Sequence, residues 1–138
     1  MEIKNLLIMG VALLFLAFSL LISNPGTTHF ENENISFDYP SNWELSVYHN
    51  NNDSKSFWVI DMENPYTQQM VSILAENESR NYTQISNLTI SGQKTTYGNA
   101  VYYDYYEFQQ NGVYYLIMTD AFHNENEINI LKSVNIPT

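Results

Sequence analysis

Three histidines and a scattered set of carboxylates are the groups in this chain that could do chemistry, and their spacing limits what that chemistry is. His123-Asn-Glu125 with Glu127 offers nitrogen and oxygen donors to a divalent cation. His49 with Asp53 is a weaker grouping of the same kind, and His29 stands apart from both. Solvated loop residues are the plainer reading of these groupings in so acidic a chain. Asp104, Glu107 and Asp120 are the acids inside a strongly aromatic segment. Glycoside cleavage would need two of them in one cleft, whereas Asp104 opposite Thr119 reads as a hydrogen-bonded pair near a sheet end. No Gly-x-Ser-x-Gly motif is present, Ser91-Gly92 has no helix after it, and no glycine-rich phosphate loop exists. The absence of cysteine excludes a thiol nucleophile, a thiolate zinc site and a disulfide scaffold. The expectation is a protein that is not an enzyme and carries no cofactor, with a hydrolase as the remotest reading.

Binding chemistry is better represented. There are 11 tyrosines, crowded most densely between Tyr102 and Tyr115. Tyrosine suits strands, and its ring and hydroxyl suit binding surfaces. Tyr103, Tyr105 and Tyr114 are the candidate platform for a sugar, a peptide or a protein, against the plainer reading of aromatic pairing within a sheet.

The elements that must position these rings follow from the pattern. Asn111-Gly112 is a strong signal for a type I′ hairpin, because both positions need positive φ. It sets Gln110 against Val113, Phe108 against Tyr115, Tyr106 against Ile117 and Asp104 against Thr119. One face then carries Tyr102, Tyr106, Phe108, Tyr115 and Ile117, and the other Tyr103, Tyr105, Tyr114, Leu116 and Met118. With neither face polar, the hairpin is expected inside a sheet covered on both sides. Alternation predicts further strands around Ile35–Tyr39, Trp43–Val47, Phe57–Met62 and Met70–Ala75, with a loop over His49–Lys55. Thr89–Thr95 reads as one strand broken by Gly92, and the polar stretch Glu76–Leu88 as room for a helical turn. Ile128, Leu131 and Lys132 predict a closing helix over Glu125–Ser133 behind an Asn124 cap, then an edge strand at Val134–Ile136. The fold class is α+β, an antiparallel sheet of about five or six strands.

Leu6–Ile22 is a continuous apolar run interrupted only by Gly10 and Ser19, and Pro25 and Gly26 stop any helix just beyond it. As a helix it would be roughly 26 Å long, at the short end of a bilayer span. The segmentation expected is a signal-anchor over 1–23, a polar tether over 24–33 and a folded domain over 34–138. A single span with the domain outside the cytoplasmic membrane is the first reading, and secretion after signal cleavage the alternative. Asn34, Asn52, Asn77, Asn81 and Asn87 each begin an Asn-x-Ser/Thr triplet and are candidate glycosylation sites. A net charge of −10 repels phosphates, so nucleic acid is excluded as a partner.

Ile35-Ser-Phe-Asp-Tyr-Pro-Ser-Asn-Trp43 resembles the opening signature of PsbP-like domains, and Ile130–Ile136 resembles their closing helix, serine and strand. The resemblance implies an α-β-α sandwich over about residues 30–137 and a scaffold-like role, with no functional residue carried over. Together these readings expect a membrane-tethered, non-catalytic module that binds an envelope protein or glycan. The alternative is an exported binder of a small ligand or divalent cation.

Overall fold

The computed structural model describes residues 3–23, 25–49, 56–121 and 125–138, with the side chains of the first helix described from 8 to 19. That helix, α1, is Ile3–Ser23. Its described side chains are exposed. Among the described residues no helix is long and apolar enough to cross a membrane. The span expected from Leu6 to Ile22 extends beyond the described side chains at both ends.

Strands β1 (Thr27–Glu31) and β2 (Ser36–Pro40) form a two-stranded antiparallel hairpin. The first of them falls inside the stretch 24–33 expected to be a tether. Its position follows from Phe30, which stacks on Phe37 with ring centroids 5.0 Å apart. The Asn32 carboxamide oxygen closes the turn by accepting from the N–H groups of Asn34 and Ile35.

Seven more strands build one sheet. They are β3 (Glu44–His49), β4 (Ser56–Glu63), β5 (Met70–Glu76), β6 (Gln84–Ile90), β7 (Gln93–Asn99), β8 (Tyr103–Gln110) and β9 (Val113–Asp120). Their spatial order is β3-β4-β5-β9-β8-β7-β6, with every neighbouring pair antiparallel. The strand count exceeds the expected five or six because Thr89–Thr95 is a hairpin, not one strand. Ser91 and Gly92 take φ of 51° and 75° there, which folds Ile90 back against Gln93. Asn111 and Gly112, at 53° and 80°, turn β8 into β9 in the register expected from the sequence.

One face of this sheet is the core. Trp58, Ile60 and Met62 on β4 line up with Ala75, Ile73 and Val71 on β5. Tyr115 and Ile117 on β9 continue the layer to Phe108 and Tyr106 on β8. Ile35 and Phe37 from the hairpin, and Ile130 and Leu131 from helix α2 (Glu125–Ser133), close over it. Val134 and Ile136 are buried in the same cluster. The expected edge strand there amounts to a bridge in which Asn135 and Ser36 exchange both backbone hydrogen bonds. The His49–Lys55 loop from residue 50 onward and the Asn124 cap lie outside the described residues.

The second face carries no helix among the described residues, so the expected covering on both sides is corrected to two layers. The reason is the link from β5 to β6, residues 77–83. It must pass four strand spacings sideways, about 19 Å. A helix of that length would reach about 10 Å, while an extended chain reaches about 24 Å. The segment therefore crosses the face stretched out, and the helical turn expected within Glu76–Leu88 does not form.

Candidate functional site

Register places Tyr103, Tyr105, Glu107 and Gln109 of β8 on the second face, opposite Asp120, Met118, Leu116 and Tyr114 of β9. The Tyr114 end is roofed by the 77–83 crossover. Glu76 is 1% exposed at the end of β5, and the Arg80 guanidinium grips both its carboxylate oxygens through Nε at 2.8 Å and Nη2 at 2.5 Å. Glu107, also buried, accepts from the Ser79 hydroxyl and the Arg80 backbone N–H, each at 2.6 Å. Hydrogen bonding to Glu76 raises the Arg80 pKa. Tyr82 then stacks on Tyr105 with centroids 5.9 Å apart. The ring lies so close over Gly98 that a Cβ there would sit 2.2 Å from a ring carbon.

The opposite end of the same face is open. The β4–β5 turn, the bend before β8 and the end of β9 all meet there. Gln68, Gln69, Met70, Tyr102, Tyr103 and Asp120 line a groove of about 590 Å³. That volume is in the range of small-ligand sites, roughly 300–1,000 Å³. Tyr102 is 69% exposed. The bend is held because Ala100 N–H donates to the Tyr103 carbonyl and Ala121 N–H donates to that of Tyr102. Tyr66 and Val101 are exposed on the adjoining turns.

The three tyrosines expected as a platform therefore share a face but not a site. Tyr103 and Tyr114 lie at opposite ends, six residues apart in register and so about 20 Å from each other. Tyr105 lies beneath Tyr82. Only Tyr103 reaches the groove, beside Tyr102, which the hairpin pattern places on the other face with Tyr106 and Phe108. Tyr102 instead precedes the strand, so the alternation does not govern it. Gln68 and Gln69 carried no signal in the sequence, because a polar turn looks the same whether or not it rims a cavity. Glu76 and Arg80 are four apart, a spacing that reads as a helical pair, and here an extended segment makes it.

The acids separate as well. Asp104 and Glu107 fall on opposite faces. Asp104 is buried on the core side and accepts the Tyr97 hydroxyl at 2.6 Å, whereas the Thr119 hydroxyl has no partner among the described residues. The expected Asp104–Thr119 hydrogen-bonded pair is thus a Tyr97–Asp104 pair. Donating to Asp104, together with burial, pushes the Tyr97 hydroxyl up to about 12. Glu107 and Asp120 share the second face but sit four residues apart in register, about 13 Å. That exceeds the roughly 6.5–9.5 Å of an inverting carboxylate pair, and Glu107 is already engaged.

For the candidate cation ligands, His123 lies outside the described residues. Glu125 is exposed, while Glu127 is fully buried beneath α2, facing the Tyr106 side of the core. Two helical residues at i and i+2 point nearly opposite ways, so these carboxylates are not brought together. Among the described residues no group of three or more His, Asp or Glu side chains is placed to hold a metal ion. His49 is exposed at the end of β3, and Asp53 lies outside the described residues. His29 instead meets Asp38 across the hairpin, Nδ1 to Oδ1 at 2.6 Å. Of the sequon asparagines, Asn77, Asn81 and Asn87 are exposed, Asn34 is half-buried, and Asn52 lies outside the described residues.

The class these elements define is α+β, a mainly antiparallel sheet with a helix and a hairpin packed on one face. No family model matches the chain, and no curated protein matches it. Among solved structures it is similar to a protein from Bacteroides thetaiotaomicron VPI-5482, with a TM-score of 0.56 and 12% identity. The match covers 83% of this chain and 50% of that one, and it speaks to the fold alone.

Proposed function

We propose that this protein is a non-catalytic binding module, held at the outer face of the cytoplasmic membrane by its N-terminal apolar helix, which engages an envelope protein or glycan. The observation that carries the binding role is the open end of the second sheet face, where Tyr102 and Tyr103 stand exposed beside the groove. An unroofed aromatic surface is costly in water and is characteristic of an interaction site. The anchoring rests on Leu6–Ile22, which is uncharged and apolar but for Ser19, and is followed after Pro25-Gly26 by β1. The resemblance of Ile35–Trp43 to the opening signature of PsbP-like domains is a further ground for the reading. It suggests a scaffold and no reaction.

The test is site-specific photo-cross-linking in the native membrane. A benzophenone amino acid replaces Tyr103 in one preparation and exposed Lys132, on α2, in another. An adduct at position 103 and none at 132, with Leu6–Ile22 retained in the recovered chain, is the expected result. Equal labelling at both positions, or none, counts against the reading.

A further inference from the structure

Resting on that binding role, we infer that the groove at the β5–β9–β8 end is a subsite for a neutral oligosaccharide. Three features of the groove lead there.

The first is what the backbone can offer. Strands β5, β9 and β8 each have a hydrogen-bonded neighbour on both sides. Their main-chain groups are engaged, so an extended peptide cannot add to the sheet at this place. Recognition must come from side chains.

The second is which side chains those are. Tyr102 and Tyr103 supply two adjacent phenol rings, Gln68 and Gln69 two adjacent carboxamides, and Asp120 a carboxylate. A pyranose presents an apolar C–H face that packs on a ring and hydroxyls that both donate and accept. Carboxamides answer a hydroxyl in either sense, and a carboxylate accepts from one strongly. An aliphatic ligand would make no use of the Gln68 and Gln69 carboxamides.

The third is charge. A net charge of −10 on the chain raises the cost of bringing in a carboxylate, sulfate or phosphate. The favoured ligand is an uncharged sugar chain.

The test uses the full chain in a zwitterionic detergent without a sugar headgroup. Malto-, cello- and chito-oligosaccharides are titrated as probes, with sulfated and sialylated oligosaccharides alongside, and binding is read by saturation-transfer NMR and calorimetry. At least one neutral series is expected to bind, with the charged probes weaker. Tyr102→Ala and Gln68→Ala lie at exposed positions where folding is not at stake. Each is expected to weaken that binding about tenfold or more, with the thermal transition unchanged. Binding that survives both substitutions overturns the inference, as does preference for a charged probe. No binding to any neutral probe also overturns it. If position 103 still cross-links to a protein in that last case, the binding role stands without the sugar. If the cross-link is absent too, both fall together.

Discussion

Arg80 shows how much a single side chain holds at this surface. Glu76 is 1% exposed and its charge is answered by the guanidinium, with the Ser56 hydroxyl adding a contact at 3.3 Å. Removing the cation leaves a carboxylate that water barely reaches. Breaking a fully buried pair from one side costs roughly 3–5 kcal/mol. Arg80 is itself half-exposed, which reduces the effect. Arg80→Ala is therefore expected to destabilise the domain by about 2 kcal/mol in urea unfolding, with Arg80→Lys intermediate because an ammonium cannot make the two-pronged contact. Equal stability of wild type and Arg80→Ala would show that the clasp contributes nothing to the fold.

At the scale of the element, the 77–83 crossover decides which part of the second face is roofed. Its seat depends on the missing Cβ at Gly98, because the Tyr82 ring occupies that space. Gly98→Ala forces the ring off Tyr105 and is expected to cost about 1–3 kcal/mol. In a Tyr82→Ala background the same change should be nearly free, since nothing then fills the space. A double-mutant cycle measures this directly, and additive effects would show that the ring and the glycine are not coupled. The crossover also explains why Tyr105 and Tyr114 are poor candidates for contact while Tyr103 is a good one. Burial pushes the Tyr82 hydroxyl pKa up, as expected for a ring pressed against the sheet.

For the whole molecule, phenols with raised pKa values are expected to set the alkaline limit of stability. Tyr97 donates to Asp104 and its hydroxyl is pushed up to about 12, while burial raises Tyr106 and Tyr115 in the same direction. A phenol whose pKa is higher in the folded state than in the unfolded one stabilises the fold in its protonated form. The contribution is complete below about pH 10 and is lost as pH climbs towards 12. The melting temperature should therefore fall steeply over that window. Tyr97→Phe should start lower at neutral pH, because Asp104 loses a donor, and fall less steeply above pH 10. An unchanged slope in that variant would mean that the Tyr97–Asp104 bond is not what titrates.

Legibility followed the range of the interactions. The β8–β9 hairpin, its turn at Asn111-Gly112 and its register were readable because two adjacent residues with positive φ and a period of two leave one solution. The closing helix was readable from Ile128 to Lys132 for a similarly local reason. Ser91-Gly92 was misread as a break within one strand, because serine is an uncommon first residue for such a turn. The candidate platform was half legible. Alternation correctly put Tyr103, Tyr105 and Tyr114 on one face, but alternation carries no information about what lies over a face. That was decided by strand order. Once β9 pairs with β5, the chain from β5 must cross to the far edge, and it is too short to do so as a helix. The crossing lays Arg80 and Tyr82 over one end and leaves Tyr102, Tyr103, Gln68, Gln69 and Asp120 gathered at the other, from three segments far apart in sequence. By itself the sequence determined the apolar N-terminal run, the acidic charge and the tyrosine-rich hairpin, all consequences of neighbouring residues. Only the tertiary structure decided which tyrosines meet solvent, because that depends on where a distant connection has to run.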